Sequence, residues 1–148
     1  MKRGLLSSGN RRRYSGFDGC RTPDSIYRQL DAEFHFTCDA AADEDNAKHR
    51  NFFSQKDSAF DVPWEGVVFC NPPYSDIGAW MAKAWLETRR GVVVVLLVPV
   101  RSDLGWFHEY ALRGEIRFIR GRCSAPRRSP GCLHRPLDEG SALLAHEA

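Results

Sequence analysis

The 148-residue chain has no C-x-x-C pair, no histidines at metal-ligand spacing and no glycine-rich phosphate loop after any apolar run. Its longest apolar stretch, residues 92–100, is about half of the ~20 residues that a membrane-spanning helix needs. The N-terminus carries basic residues but no apolar segment of signal-peptide type, so neither secretion nor a membrane role is expected. Cysteine occurs five times, at Cys20, Cys38, Cys70, Cys123 and Cys132. An odd number without ligand spacing reads as reduced thiols in a cytoplasmic protein, with no zinc or other metal site. His35, His49 and His108 are scattered and read as structural or surface residues. The length suits one domain with one core rather than two. At 43% hydrophobic and 27% charged residues, the composition is that of an ordinary globular protein.

Net charge is only +2, but seventeen of the 21 basic residues are arginine. They cluster at Arg11-Arg12-Arg13, at Arg89-Arg90, between Arg117 and Arg122, and at Arg127-Arg128. The guanidinium is a planar fork suited to phosphate, so the bias fits contact with nucleic acid. A set of solvated surface charges is the plainer reading of any one cluster.

Residues 1–21, rich in Gly, Ser and Arg, read as a flexible basic arm. Thr22-Pro23-Asp24 then opens a helix, with Thr22 a candidate N-cap and Ile26, Tyr27 and Leu30 at helical spacing. Phe34-His35-Phe36-Thr37-Cys38 alternates as a short strand, ending in Asp39-Ala40-Ala41-Ala42. A polar stretch, a short apolar patch at Asn51-Phe52-Phe53-Ser54 and a loop with a turn at Pro63 follow. Val67-Val68-Phe69-Cys70 is a second strand without a polar face, as in a parallel sheet covered on both sides. Residues 77–88 form an amphipathic helix carrying Ile77, Trp80, Met81, Ala84 and Trp85 on one side, and Gly91 stops it. Residues 92–98 give the strongest strand, residues 106–112 a short helix and residues 116–119 another strand. Trp80, Trp85 and Trp106 are expected in the core. Alternating strands and helices indicate an α/β domain with a largely parallel sheet, whose ligands sit at the carboxyl ends of the strands. Asp39 and Asn71 both stand at such ends.

Asn71-Pro72-Pro73-Tyr74 carries the chemistry. An amino group on an aromatic ring is a poor nucleophile, because its lone pair is delocalised. Accepting its hydrogens draws the nitrogen towards a tetrahedral geometry. Asn71 offers a side-chain carbonyl and Pro72 a backbone carbonyl for this purpose, and two prolines restrict the backbone that holds them. Tyr74 offers a flat face on which an extruded base can stack. No general base is needed if the methyl donor is a sulfonium. A bare turn after a strand is the alternative, which the strand before and the helix after make the weaker one.

The ordered set resembles the phage-encoded DNA N6-adenine methyltransferases. It comprises Thr22-Pro23, residues 36–42 with Asp39-Ala40-Ala41-Ala42, Phe52-Phe53-Ser54, and residues 68–75 with Asn71-Pro72-Pro73-Tyr74. Trp80, Leu97-Val98-Pro99, Trp106-Phe107 and Ile119-Arg120-Gly121-Arg122 complete it. This resemblance implies a Rossmann-like methyltransferase fold over residues 22–122, S-adenosylmethionine as cofactor and adenine in double-stranded DNA as substrate. It further implies that Asn71, Pro72, Pro73 and Tyr74 are catalytic. Thr22 and Pro23 would flank the methionine end of the cofactor. Asp39 and Ala40 would lie in a glycine-free cofactor loop, and Asp57 near the cofactor adenine. Arg101, Arg120 and Arg122 are the candidate DNA contacts; for Arg101 a plain surface role stays open, as a capping role does for Thr22 and a turn role for Asp39.

After Arg122 the chain departs from this pattern. Residues 123–148 read as an atypical tail in which no strand is expected, from a frameshifted or otherwise altered end. The sheet is therefore expected to lack its C-terminal strands, exposing an edge and impairing activity. Two other readings remain: methyl transfer to a protein glutamine amide or to RNA guanine, and a decayed prophage relative that binds without turnover. The first of these accompanies a glycine-rich loop and a longer chain, neither of which is present.

Overall fold

The computed structural model describes residues 21–54, 59–120 and, for the backbone, 141–146. The strands are β1 (Cys38–Asp39), β2 (Val67–Cys70), β3 (Val93–Pro99), β4 (Glu115–Ile119) and β5 (Ser141–His146). The helices are α1 (Asp24–Phe34), α2 (Ile77–Thr88) and α3 (Gly105–Glu109), with single 3₁₀ turns at Tyr74–Asp76 and Ala111–Arg113. One sheet forms in the order β1-β2-β3-β5-β4. The first three strands are parallel neighbours, and β5 runs antiparallel to both β3 and β4. Four of the five strands therefore point the same way, as the alternation of elements implies.

The sheet is covered on both faces. Along β3, Val94, Leu96 and Val98 join Val68, Cys70, Trp80, Met81, Ala84 and Phe107 on the side of α2 and α3. Val95 and Leu97 turn the other way, onto Phe69 and the α1 residues Tyr27 and Leu30. This two-sided burial is why β2 and β3 are apolar at successive positions instead of alternating. Each such side chain taken out of water contributes about 1.5–3 kcal/mol.

β2 and α2 occupy the residues expected of them. Three other elements differ. The alternating aromatics from Phe34 to Cys38 do not start a strand at Phe34: α1 runs to Phe34, and His35 closes it in the left-handed region at φ 55°. The amide of Phe36 then donates to the Asp31 side chain at 2.9 Å, so β1 begins only at Cys38. The helix expected over residues 106–112 breaks at Tyr110 into α3 and a 3₁₀ turn. The tail, in which no strand was expected, supplies β5, inserted between β3 and β4 with Leu143 opposite both Leu97 and Arg117. The expectation of a sheet lacking its C-terminal strands is corrected to that extent. Ser-Ala-Leu-Leu-Ala-His has little intrinsic β preference, and long-range pairing decides its conformation. No helix among the described residues is long and apolar enough to cross a membrane.

Candidate active site

Parallel pairing brings the carboxyl ends of β1, β2 and β3 to one edge. Asp39 lies opposite Phe69 and Cys70 opposite Leu96. The pairing runs one residue further, because the Ala40 amide donates to the Phe69 carbonyl at 2.8 Å. The loop after Asp39 and the segment from Asn71 thus leave adjacent strands side by side, which is where an open α/β sheet receives ligands.

Asp39 is 2% exposed. One carboxylate oxygen accepts from the Ala41 amide at 3.3 Å and the other from the Lys48 amide at 3.0 Å. Its backbone is held as well, donating to the Asn51 carbonyl and accepting from the Phe53 amide at 2.9 and 3.0 Å. Burial pushes the carboxyl above its usual range, against the pull of those two amides and of the Lys48 charge. The turn role left open for Asp39 is therefore present: the side chain closes the loop from Ala40 to Lys48. Ala40 is fully buried, and Ala41 and Ala42, half-buried, continue the run of small residues. Lys48, which the sequence reading passed over, also ion-pairs with Asp24 in the first turn of α1. Its location in a polar stretch carries no local signal for either contact.

Thr22 and Pro23 precede α1. Pro23 occupies the cap position, and no side chain caps the helix, so the capping role considered for Thr22 is not what its side chain does. Thr22 is buried, and its hydroxyl oxygen accepts a hydrogen bond from the Asn71 side-chain amide nitrogen at 3.1 Å, across 49 residues of sequence. Pro72 and Pro73 are buried, while Asn71 and Tyr74 are half-buried. The Pro73 carbonyl accepts from the Asp76 amide at 3.2 Å, starting the turn that leads into α2. Tyr74 rests against the α2-side core, which limits its ring to few orientations.

Cys70, immediately before Asn71, is no nucleophile: burial pushes its thiol well up, and only a thiolate attacks at useful rates. Burial likewise raises Cys38 to about 11. No group of three or more metal-ligating side chains occurs among the described residues. The site is thus a set of neutral acceptors and one buried carboxylate.

Arg101 stands just beyond β3, its guanidinium forked onto Asp103 through two hydrogen bonds of 3.1 Å. That hydrogen bonding holds the Asp103 carboxyl below its usual range. Arg120 is exposed just beyond β4, a strand running in the direction of β3, and so lies at the same end of the sheet. Asp57 and Arg122 lie outside the described residues. The structure therefore gathers Thr22, Pro23, Asp39, Ala40 and Asn71 to Tyr74 at one end of the sheet and sets two arginines along that end.

A protein-family model described as DNA N-6-adenine-methyltransferase (Dam) matches residues 12–129. A relative from Escherichia phage T1, a DNA N-6-adenine-methyltransferase, is 30% identical over 156 aligned positions, which cover 84% of this chain. The chain spans 66% of that relative's length. The match takes in the α1 start, the loop after β1, the Asn-Pro-Pro-Tyr corner and β4; the chain belongs to the DNA N-6-adenine-methyltransferase (Dam) family.

Proposed function

We propose that this protein transfers a methyl group from S-adenosylmethionine to N6 of adenine in double-stranded DNA, in the cytoplasm of a bacterial host of phage or prophage DNA. One observation carries the reading: Asn71-Pro72-Pro73-Tyr74 leaves the carboxyl end of β2 beside the Asp39–Ala40 end of β1, with the Asn71 amide already held by Thr22. Family membership supports the substrate class.

In this reading the Asn71 side-chain carbonyl and the Pro72 backbone carbonyl accept the two hydrogens of the adenine amine. That localises the nitrogen lone pair and aims it at the donor. Tyr74 stacks on the base once it has left the duplex. The acceptors are neutral and set beforehand by prolines and by Thr22, so little reorganisation accompanies reaction. S-adenosylmethionine, when bound, supplies an electrophilic sulfonium methyl. Pro23, Asp39 and Ala40 hold it, with the Thr22 hydroxyl turned to Asn71; the buried carboxylate, the run of small residues and the parallel strand ends suit such a ligand. The proton released from the methylated amine passes to solvent. Arg101, Arg120 and Arg122 contact DNA phosphates, Arg101 by exchanging Asp103 for phosphate.

The test is transfer of labelled methyl from S-adenosylmethionine to duplex DNA by the wild type and by Asn71→Ala. The variant is expected to lose about 100-fold or more of the rate while keeping its affinity for the cofactor. Label appearing only in protein or RNA, or equal rates for both proteins, would refute the reading.

A further inference from the structure

Thr22 is buried at 4% exposure yet belongs to a segment whose side chains do not cap the helix that follows. Its hydroxyl meets Asn71 instead. An asparagine amide has two faces of opposite character, a donor nitrogen and an acceptor oxygen. Methylating an amine requires the oxygen towards the substrate, because an amide nitrogen presented there would oppose the substrate's own hydrogens. The 3.1 Å bond from Asn71 Nδ2 to Thr22 Oγ1 takes the nitrogen out of that role and turns Oδ1 to the other side of the amide.

We infer that Thr22 is a positioning residue: its hydroxyl sets the orientation of the Asn71 amide, so that the acceptor oxygen faces the amine to be methylated. This rests on the methyl-transfer reading above and differs from a direct contact between Thr22 and the cofactor. The arrangement also ties two parts of the site together. Thr22 is two residues from Asp24, whose partner Lys48 donates its backbone amide to Asp39. Asp24 is largely exposed, so that ion pair sets register more than it adds energy. A short segment before α1 is thereby joined on one side to the catalytic asparagine and on the other to the loop closed by Asp39.

The deciding experiment compares wild type, Thr22→Val and Thr22→Ser. Valine keeps the shape of threonine without the hydroxyl, and serine keeps the hydroxyl. Thr22→Val is expected to lower kcat about 10- to 100-fold, with the dissociation constant for S-adenosylmethionine, measured by calorimetry, within about twofold of wild type. Thr22→Ser is expected to restore most of the rate. In ¹⁵N spectra the Asn71 side-chain amide should shift and exchange faster in Thr22→Val, and return in Thr22→Ser. A loss of cofactor affinity at unchanged kcat would overturn the inference, assigning Thr22 to the cofactor. Unchanged kinetics and unchanged Asn71 signals in Thr22→Val would overturn it as well. Should the wild type methylate no DNA, the proposed activity fails, while the Asn71 signals of the three proteins still decide the hydrogen bond.

Discussion

Gly66 shows how one backbone position sets the register of two strands. It sits at φ 75°, and a Cβ there would come within 2.4 Å of Thr37 Oγ1. That oxygen accepts the Val67 amide at 3.0 Å, and the Thr37 amide donates to the Val67 carbonyl at 2.8 Å. The pair sets the start of the β1–β2 register on which the closeness of Asp39 and Asn71 depends. Gly66→Ala combines a left-handed penalty with a collision, and is expected to cost about 2 kcal/mol or more, seen as a lower urea midpoint. A midpoint equal to wild type would show that Thr37 moves aside without consequence. The proposed catalytic corner stood out in sequence, because Asn-Pro-Pro-Tyr directly follows an apolar strand and precedes a helix, and the structure places it at the carboxyl end of β2. The Thr22–Asn71 contact was not, since nothing local links residues 49 positions apart. The same holds for Lys48, whose contribution to Asp39 is a backbone amide and leaves no trace in residue type.

α2 carries the second device. It presents Ile77, Trp80, Met81 and Ala84 to the sheet, as its spacing foretold; Trp85, expected on the same face and in the core, is instead half-buried under the Arg89 and Arg113 guanidiniums, and Glu87 is buried. The Glu87 carboxylate meets Lys83, the Arg90 guanidinium at 2.9 Å and the Trp64 amide at 3.2 Å. Trp64 lies in a loop before β2, and it packs into the core at 1% exposure with its indole N–H satisfied by the Ala59 carbonyl at 2.9 Å. A tryptophan beside a proline gave no sign of being the most enclosed aromatic of that core; the sign lay in Glu87, a charge on an apolar helix face. Burial alone would raise the Glu87 carboxyl, but Lys83, the Trp64 amide and Arg90 together hold it below the ordinary 4.5. A depressed acid contributes stability that is fully present above its unfolded value and is lost as pH falls through the folded one. Glu87→Gln is therefore expected to destabilise by about 1–3 kcal/mol at neutral pH. The gap from wild type should narrow as pH drops below 4.5. Thermal unfolding of both proteins across that range checks this, and a gap independent of pH would contradict it.

The sheet as a unit depends on its last strand. β5 lies between β3 and β4, so β4 joins the sheet only through it. A proline in a central strand removes a ladder hydrogen bond and is rarely tolerated. Leu143→Pro is expected to cost about 3 kcal/mol or more, with loss of hydrogen-exchange protection at β3 and β4 together. Loss confined to β4 would show that β3 stands without β5. The layered α/β plan and the parallel first half of the sheet could be read from hydrophobic runs and their order. β5 could not, because Ala and Leu record little about strand pairing, and its partners lie 22 or more residues away in sequence, Ile119 opposite Ser141 being the nearest. With β5 present, the corner at Asn71 is backed by a five-stranded sheet rather than by an open edge.

The proposed reaction alters one atom, N6 of adenine. Duplex DNA incubated with the protein and S-adenosylmethionine, then digested to nucleosides and examined by mass spectrometry, reports which base is altered. N6-methyldeoxyadenosine is expected from the wild type and essentially none from Asn71→Ala. Methyl groups on cytosine, or N6-methyldeoxyadenosine formed equally by Asn71→Ala, would contradict it.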